Sequence, residues 1–301
     1  MTRIVVTGRT GQLGSAFFER LGRRSDVIFV DRDMVNIANP EAVHGFLRQI
    51  EPEVIINTAA YTAVDYAETD ATVARCVNRD GVEAMAEWVE SVGGLLIHYS
   101  TDYVFDGQKT SAYVEDDPTS PLSVYGRTKC EGEEIIRLSA CRHLILRTTW
   151  VIGKQGKNFI RTILRLAAER ETLNVVADQW GVPSSTDFIA DTTLQILRQL
   201  ETEDHELGTY HLVPRGVTNW YELAKFVLEL AWEQGLPLKL RPEALQAIPT
   251  EAYPLPAKRP KNSRLSCDKI SKEFNLNLPG WQEGAEDVTR SIIAEMMKNL
   301  G

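Results

Sequence analysis

The fold is decided by the stretch Ile4-Val5-Val6-Thr7-Gly8-Arg9-Thr10-Gly11-Gln12-Leu13-Gly14, in which a short apolar run leads into three evenly spaced glycines. Gly8 permits a tight turn, Gly11 lets the backbone approach an anion, and Gly14 allows a helix to pack closely on a strand. A helix that begins here offers free N–H groups and a positive dipole end. The stretch therefore predicts a strand, a phosphate-binding turn and a helix, as in a Rossmann-type dinucleotide-binding unit.

Short apolar runs recur beyond this stretch, and helix-like segments separate them. Each run is too short for a helix and rich in branched residues, whereas segments 70–92 and 125–138 carry apolar residues at three- and four-residue spacing. Strands that alternate with helices predict an α/β fold, here a doubly wound parallel sheet covered on both faces. The predicted strands after the first are 27–30, 54–56, 95–99 and 143–146.

The alternation of short strands and helices ends at about Thr148. Beyond it, helical stretches are separated by proline-bearing loops. We expect residues 1–150 to form a dinucleotide-binding domain and residues 151–301 to form mainly a smaller α/β lobe, which closes over the carboxyl edge of the sheet. Crossings of the chain between the two lobes are expected, so the boundary stays open. The helices predicted in the second half are 158–170, 187–200, 220–234 and 284–298.

The composition argues against several classes of protein. With 42 acidic and 33 basic residues the net charge is −9, whereas a nucleic-acid binder needs a basic surface. The four cysteines form no C-x-x-C pair, so neither a zinc site nor a redox dithiol is predicted. The first strand starts too early for a secretory signal, and no apolar run reaches the roughly 18 residues of a membrane span. We therefore expect a cytoplasmic protein without a membrane partner.

The second predicted strand ends at an acidic residue that suits an adenosine ribose. The carboxylate of Asp31 can accept hydrogen bonds from ribose hydroxyls. Arg9 and Arg32 are close enough in sequence to meet a 2′-phosphate, so NADH and NADPH both stay open as the cofactor. The cofactor contacts predicted in this part of the chain are Gly8, Arg9, Thr10, Gly11, Gln12, Leu13, Gly14, Asp31 and Arg32.

A tyrosine and a lysine form the predicted proton-donating centre. Tyr125 and Lys129 fall at the start of a predicted helix, where a spacing of four places both side chains on one face. A nearby ammonium favours the phenolate, so we expect Lys129 to lower the pKa of Tyr125 toward neutrality.

Thr101 completes this centre, at the end of the fourth predicted strand. Ligands bind at the carboxyl ends of strands in open α/β sheets, and we expect the Thr101 hydroxyl to donate to a substrate carbonyl. With the glycine turn, Thr101, Tyr125 and Lys129 resemble the Ser/Thr–Tyr–Lys triad of the extended short-chain dehydrogenase/reductase superfamily. This resemblance implies a nicotinamide cofactor.

Longer strings narrow the resemblance to the dTDP-4-dehydrorhamnose reductase family. It rests on Asn158-Phe159 and on the strings STDYVFDG, SPLSVYGRTK, LILRTTWV, DQWGVP, TYHLV and RPKNSRL, which occur between Ser100 and Leu265. The resemblance implies NAD(P)H-dependent reduction of the C4 ketone of dTDP-4-dehydro-6-deoxy-L-mannose to dTDP-L-rhamnose, with Tyr125 as the proton donor. The expected partner is therefore a dTDP-linked 4-keto-6-deoxy sugar.

The resemblance also implies roles for individual residues. Lys129 would hold the nicotinamide ribose and tune Tyr125, and Thr101 would polarise the ketone. Ala60, Tyr61 and Thr62 match positions that line the cofactor. The positions matched to the sugar and its nucleotide are Thr101, Asp102, Tyr103, Trp150, Asn158, Gln179 and Arg264, with Lys258, Arg259 and Lys261 near Arg264 as a basic cluster for a diphosphate.

One feature of the family is missing. Some members bind Mg²⁺ through carboxylates at a dimer interface, and one of these would fall near Ala16. Asp187 and Glu295 match other ligands, but they leave an incomplete oxygen cage. We therefore expect no metal, and a monomer or weak homodimer.

Two other functions remain open at this stage. An epimerase or dehydratase of the same superfamily keeps the triad, although Tyr103 after Asp102 disfavours the dehydratase because no glutamate follows the aspartate. Such enzymes return the dinucleotide, whereas a reductase consumes it. The second alternative is a non-catalytic protein that resembles the regulatory subunit of methionine adenosyltransferase, and fold alone does not exclude it. The intact triad favours an enzyme.

Overall fold

A computed structural model describes residues 2–299, and its centre is a six-stranded sheet in which all neighbouring strands are parallel. The strands are β1 Ile4–Thr7, β2 Val27–Val30, β3 Val54–Asn57, β4 Leu95–Thr101, β5 Arg142–Thr148, β6 Val151–Ile152, β7 Leu173–Val176, β8 Trp180–Gly181, β9 Ser184–Ser185, β10 Gly208–His211, β11 Thr218–Asn219 and β12 Leu245–Ile248. The order across the central sheet is β10-β5-β4-β3-β1-β2.

Helices cover both faces of this sheet and build the rest of the molecule. They are α1 Gln12–Leu21, α2 Pro40–Ile50, α3 Val64–Ala67, α4 Ala71–Arg75, α5 Gly81–Val92, α6 Val124–Leu138, α7 Phe159–Glu169, α8 Thr186–Leu200, α9 Trp220–Glu233, α10 Asp268–Glu273 and α11 Trp281–Lys298.

Branched apolar residues fill the central strands because both faces are covered. Val5 on β1 is in register with Ile28 on β2 and with Ile55 on β3, and Val5 and Ile55 are fully buried. One face packs on α2 and α5, and the other packs on α1 and α8. The predicted doubly wound α/β fold is confirmed.

The sixth strand of the sheet comes from the second half of the chain. β10 pairs with β5, so that Tyr210 lies beside Leu146, and Tyr210 is fully buried. Helix α8 also returns to the sheet, where Ile189 joins the core that contains Phe17 of α1. The chain thus crosses back to the sheet after residue 150, and the division into lobes at residues 150 and 151 stays a prediction.

The smaller part of the molecule has a core of its own. Helices α7, α9 and α11 pack together around buried residues such as Ile163, Val227 and Ile292. Three two-stranded sheets border this core, formed by β7 with β12, β8 with β11, and β6 with β9. Within residues 2–299, no helix combines the length and the apolar composition needed to cross a lipid bilayer.

The predicted helix over 70–92 is interrupted by a π-helical turn. This turn spans Cys76–Asp80, between α4 and α5, and places Asn78 in a buried position. π turns are rare, and many of them lie at functional sites. Nothing in the spacing of apolar residues predicts this one.

Candidate active site

The glycine turn joins β1 to α1 with little room for side chains. Gly8 has a φ of +71°, and a Cβ on it would come within 2.9 Å of the backbone nitrogen of Ala59. A Cβ on Gly14 would lie only 2.0 Å from the Gly8 carbonyl oxygen. Gly11 caps α1, whose first turn carries no acidic residue. The N-terminus of α1 is therefore bare and suited to an anion.

A cavity of about 620 Å³ opens from this turn along the carboxyl edge of the sheet. Asp31 and Arg32 both line it, and the Asp31 carboxylate accepts backbone N–H groups of Asp33 and Met34 at 3.2 Å. Arg9 turns away, because its guanidinium lies 4.5 Å from the centre of the Phe18 ring. The other residues predicted for the cofactor that line the cavity are Gly8, Thr10, Gly11, Gln12, Leu13, Ala60, Tyr61, Thr62, Tyr125 and Lys129.

A loop from the second half of the chain covers the glycine turn. Gln12 Oε1 accepts from the backbone nitrogen of Gly153 at 2.9 Å and from Asn158 Nδ2 at 3.2 Å. The tip of the loop turns at Gly156, whose φ is +76°, and the next residue, Lys157, lines the cavity. This loop therefore adds a cation to the anion-binding end of the cavity, although no motif in the sequence points to Lys157.

Helix α6 begins at the wall of the cavity and carries the Tyr-Lys pair. Ser123 caps the helix by accepting from the backbone nitrogen of Gly126 at 3.2 Å. A Cβ on Gly126 would lie 2.2 Å from the Tyr103 carbonyl oxygen, so only glycine allows this approach to the end of β4. The close approach places the Tyr125 and Tyr103 rings edge to face, with centres 5.6 Å apart.

Burial, rather than the nearby lysine, has the largest effect on Tyr125. It raises the pKa of the phenol to about 12, and the Thr101 hydroxyl acts in the opposite direction. The spacing of Tyr125 and Lys129 predicts the opposite, a pKa lowered by the nearby ammonium. The structure differs because Lys129 Nζ lies 2.7 Å from the Tyr99 carbonyl oxygen and 3.0 Å from His98 Nε2. The phenol is therefore protonated at neutral pH.

Thr101 and Asp102 lie together at the end of β4. The Thr101 hydroxyl donates to Asp102 Oδ1 at 3.1 Å and accepts from the backbone nitrogen of Tyr103 at 3.2 Å. Asp102 is 2% exposed, and among the described residues its second oxygen has no hydrogen-bond partner. Burial raises the pKa of Asp102 to about 7. A substrate hydroxyl would satisfy the unpaired oxygen.

Two stacked tryptophans connect this cavity to a second one. Trp150 lines the first cavity with a φ of +43°, and Trp220 lines the second. Their rings are parallel within 18°, with centres 3.7 Å apart. A non-glycine residue at positive φ is strained, and such strain is common at functional sites.

The second cavity has a volume of about 1020 Å³ and lies between α7, β7 and the segment 248–259. Its apolar wall includes Phe159, Leu166 and Val175. No carboxylate is among the described residues that line it, whereas four cations are: Arg165, Arg170, Lys258 and Arg259. This cavity is the local basic surface of an acidic chain.

The residues predicted to reach the nucleotide lie in different places. Gln179 lines the second cavity, where its Oε1 accepts from Trp220 Nε1 at 3.1 Å. Asn158 caps α7 and contacts Gln12, and Arg264 donates to Asn262 Oδ1 at 2.7 Å. Within residues 2–299, Asn158 and Arg264 are absent from the lining of both cavities.

The basic cluster predicted near Arg264 is partly neutralised. Arg259 pairs with Asp65, and Lys261 pairs with Asp178 and Glu251, at distances of 2.7 to 2.9 Å. Only Lys258 and Arg259 of this cluster line the second cavity.

Asn78 supports the cofactor side of the first cavity. It accepts from the backbone nitrogen of Tyr61 at 2.8 Å, and its amide donates to the Tyr61 carbonyl oxygen at 3.1 Å and to Thr128 Oγ1 at 3.0 Å. The π-helical turn thus fixes the loop after β3 against helix α6. No motif in the sequence points to Asn78.

The carboxylates considered as metal ligands face cations of the chain itself. Asp187 lies 2.9 Å from Arg20 and 2.8 Å from Lys154, and Glu295 lies 2.7 Å from Arg161. Ala16 is buried in the core. Arginine and lysine side chains therefore provide the positive charge around these carboxylates.

Comparison with known proteins identifies the family. The sequence profile of the family described as RmlD substrate binding domain matches residues 1–293. The chain is 43% identical to dTDP-4-dehydrorhamnose reductase of Escherichia coli (strain K12), over 96% of this chain and 97% of that protein. It is 40% identical to the protein of the same name from Burkholderia thailandensis, over 97% of this chain and 100% of that protein.

Solved structures agree with the sequence comparison. The crystal structure of dTDP-4-dehydrorhamnose reductase from Bacillus anthracis in complex with NADP has a TM-score of 0.85 and 34% identity, and covers 96% of this chain and 99% of that chain. UDP-glucose 4-epimerase from Thermus thermophilus in complex with NAD, at 20% identity and a TM-score of 0.78, shares the fold. The resemblance predicted from the sequence is confirmed, and the chain belongs to the RmlD substrate binding domain family.

Proposed function

We propose that the protein is an NAD(P)H-dependent reductase that converts dTDP-4-dehydro-6-deoxy-L-mannose to dTDP-L-rhamnose. The observation that carries this proposal is that Thr101, Tyr125 and Lys129 line the same cavity as the glycine turn. Relatives that match almost the whole chain at 40–43% identity bear the name of this enzyme.

The residues around the glycine turn fit a nicotinamide dinucleotide. The first cavity opens beside Gly8 and Gly11 at the N-terminus of α1, where a pyrophosphate would meet free backbone N–H groups. We infer that Asp31 binds the adenosine ribose and that Arg32 lies near its 2′ position, which keeps NADH and NADPH both open. The nicotinamide supplies a hydride when bound, and the Bacillus anthracis relative with NADP supports this class of cofactor.

Tyr125 is proposed as the proton donor. Addition of a hydride to C4 converts the ketone to an alkoxide, whose oxygen then takes the phenolic proton, so that the ketone gains one hydride and one proton and Tyr125 is left as the phenolate. The raised pKa of Tyr125 keeps this proton in place before the reaction. The Thr101 hydroxyl would polarise the ketone oxygen.

The second cavity is proposed to hold the nucleoside diphosphate. Its apolar wall suits a flat base, and its cations suit a diphosphate, since guanidinium and ammonium groups bind phosphate oxygens strongly. Trp150 lines the first cavity and stacks on Trp220, which lines the second, so the two cavities share a wall. We infer that the sugar lies on the Tyr125 side of this wall and the nucleotide in the second cavity.

We further propose a cytoplasmic location, supported by the four free cysteines, since thiols stay reduced in that compartment. We also propose that the protein binds no metal, which tightly held, stoichiometric Mg²⁺ in the purified protein would contradict. We propose in addition that it is a monomer or weak homodimer, and sedimentation velocity measures this oligomeric state.

The direct test supplies the purified protein with dTDP-4-dehydro-6-deoxy-L-mannose and either NADPH or NADH. We expect one dinucleotide to be oxidised for each dTDP-L-rhamnose formed. An epimerase or dehydratase would change the sugar without net oxidation of the dinucleotide. A regulatory protein would bind the dinucleotide without turnover, and either result would refute the proposal.

A further inference from the structure

Four consecutive residues, Asp178–Gly181, connect the stacked tryptophans to the segment 248–259 of the second cavity. They follow β7 and end with β8. Gln179 is 6% exposed, and its Oε1 lies 3.1 Å from Trp220 Nε1, whereas its Nε2 lies 3.2 Å from Thr250 Oγ1. One buried amide therefore joins α9, which begins at Trp220, to the segment 248–259.

The direction of these hydrogen bonds follows from their donors. An indole N–H can only donate, so the amide oxygen of Gln179 faces Trp220 and its NH₂ group faces Thr250. The Thr250 hydroxyl accepts from this NH₂ group and donates to Asp178 Oδ1 at 2.6 Å. The backbone nitrogen of Thr250 donates to the same oxygen at 2.8 Å. The bonds therefore run one way, from Trp220 to Asp178.

Asp178 is the fixed acceptor at the end of this row. Its second oxygen pairs with Lys261 Nζ at 2.9 Å. Burial acts to raise the pKa of Asp178, but hydrogen bonds from Thr250 and Lys261 lower it overall, so the group is a carboxylate at neutral pH. Because a carboxylate can only accept, the Thr250 hydroxyl points its hydrogen at Asp178 and keeps a lone pair for Gln179.

The same four residues restrict Trp150 through the stack. The torsion that sets the plane of an aromatic ring is broad, so the hydrogen bond to Gln179 narrows the range of planes open to Trp220. Trp150 stacks on Trp220 with ring centres 3.7 Å apart. A Cβ on Gly181 would lie only 2.8 Å from the Trp150 ring. Trp150 therefore has little room to shift once Trp220 is fixed.

We propose that Gln179 is a positioning residue, which fixes the tryptophan stack and the segment 248–259 relative to each other. The bearing of this inference on catalysis rests on the proposed reductase function, in which the sugar lies on the Tyr125 side of the stack. Each end of the Gln179 amide already has a partner in the protein, so its effect on the sugar nucleotide passes through Trp220 and Thr250. The family resemblance implies instead a direct contact between Gln179 and the substrate, and the two roles have different consequences for substitutions.

The first test observes the hydrogen bond of Trp220 and needs no activity. The chain has six tryptophans, so the ¹H–¹⁵N indole signal of Trp220 can be identified with Trp220→Phe. Gln179→Met keeps the length of the side chain and loses both polar groups. We expect the Trp220 signal to move upfield in this variant and its exchange with solvent to become about 2- to 10-fold faster. Gln179→Glu keeps an acceptor for the indole and should keep its exchange slow. An unchanged signal in Gln179→Met would overturn the inference.

The second test compares Gln179→Met, Trp220→Phe and the double variant in steady-state kinetics. We expect each single variant to raise KM for the sugar nucleotide about 5- to 10-fold, to change kcat less, and to leave the Kd of the dinucleotide unchanged. Because Gln179 acts through Trp220, the double variant should raise KM by clearly less than the product of the two single changes. A rise equal to that product would show a direct contact of Gln179 with the substrate and would overturn the inference. If the protein does not turn over this substrate, the proposed function fails, while the indole spectra still decide the role of Gln179.

Gln246→Met is the matched control, because it makes the same change at an exposed position on β12. Within residues 2–299, Gln246 is absent from the lining of both cavities. It should leave the Trp220 signal and KM unchanged. If Gln179→Met does not fold, Thr250→Val removes the hydroxyl that accepts from Gln179 and keeps the shape of the side chain. We expect smaller changes of the same kind there, and their absence would contradict the inference.

Discussion

Arg259 and Asp65 are joined by two parallel hydrogen bonds, with Nη2 to Oδ2 at 2.7 Å and Nη1 to Oδ1 at 3.1 Å. Asp65 belongs to α3, near the loop that lines the first cavity, and Arg259 lines the second. The pair therefore connects the proposed cofactor region to the proposed nucleotide region, between positions 194 residues apart.

Breaking this pair should weaken substrate binding more than catalysis. For Asp65→Asn we expect a loss of about 0.5–1 kcal/mol in the free energy of unfolding, because the pair is partly exposed, and a several-fold increase in KM for the sugar nucleotide. The control is Arg290→Gln, which breaks an exposed pair with Glu286 on α11. An unchanged KM would show that the pair has no part in binding.

The same pair has a defined pH dependence. Arg259 lowers the pKa of Asp65, so the stabilisation is present above the ordinary carboxylate pKa and is lost as the pH falls through the lowered value. Urea unfolding at neutral and at acid pH should therefore show the wild type and Asp65→Asn converging in acid. If the difference in the free energy of unfolding between the two proteins did not change with pH, ionisation of Asp65 would be excluded as the cause of the stabilisation.

Removal of the proposed proton donor should separate binding from turnover. Tyr125→Phe keeps the ring that packs on Tyr103, so we expect the dinucleotide to bind with nearly the same Kd. Without the phenolic proton, kcat should fall about 10²–10⁴-fold. Fluorescence titration and steady-state kinetics measure the two quantities, and a kcat near that of the wild type would end the assignment.

Gly14 and Gly45 offer a matched pair of glycine substitutions in helices. In Gly14→Ala the new Cβ would lie 2.0 Å from the Gly8 carbonyl oxygen, so we expect a loss of about 1–3 kcal/mol and of dinucleotide binding. Gly45 on α2 has open space around it, and Gly45→Ala should stabilise the protein by about 0.5–1 kcal/mol. Thermal unfolding with and without NADPH tests both substitutions. Equal changes in stability for Gly14→Ala and Gly45→Ala would contradict the close packing of Gly14 in the turn.

Lys157 should strengthen the binding of the pyrophosphate. We expect Lys157→Gln to raise the Kd about 5- to 10-fold for both NADH and NADPH, which corresponds to about 1–1.4 kcal/mol. A loss confined to NADPH would place the ammonium at the 2′-phosphate instead. Lys239→Gln changes another exposed lysine and should leave both affinities unchanged.

Asp102 should make the protein less stable as the pH rises. Its carboxyl has a pKa raised to about 7, so the folded state binds its proton more tightly than the unfolded state, and stability falls as the pH rises toward that value. Asp102→Asn removes this ionisation. We expect the variant to be more stable than the wild type above neutral pH, by at most about 4 kcal/mol, and similar to it near the usual carboxylate pKa. The opposite order in urea unfolding would show that the charged carboxylate is stabilised.

The sequence predicted those features that local pattern encodes. The glycine turn, the first five strands of the sheet and the helix that carries Tyr125 lie within a few residues of their expected bounds. These elements have clear periodicity or turn residues, and their contacts are mostly set by neighbours in the chain.

The features that were not predicted depend on contacts between residues far apart in the sequence. Strand β10 is only four residues long and carries no alternating pattern, so its place beside β5 was not predicted. Arg9 was expected near a phosphate because of its position in the sequence, but stacking on Phe18 turns it away. Distances along a sequence do not fix the direction of a long side chain.

His98 and Asn57 were missed for a different reason. Each is a polar residue in or at the end of an otherwise apolar strand, and both are buried. A buried polar side chain must have a partner, so this interruption of the apolar pattern was an available signal. The identity of the partner, Lys129, depended on how α6 packs against the sheet.

The place of β10 restricts how the protein can be recombined. A chimera that exchanged everything after residue 150 for another family member's sequence would replace the strand that covers Leu144 and Leu146. We expect such exchanges to succeed when the β10 segment and α8 are kept with the sheet they complete, and to yield insoluble protein otherwise. New substrate preferences in this scaffold are therefore more readily reached by changing the loops around the second cavity than by swapping whole halves.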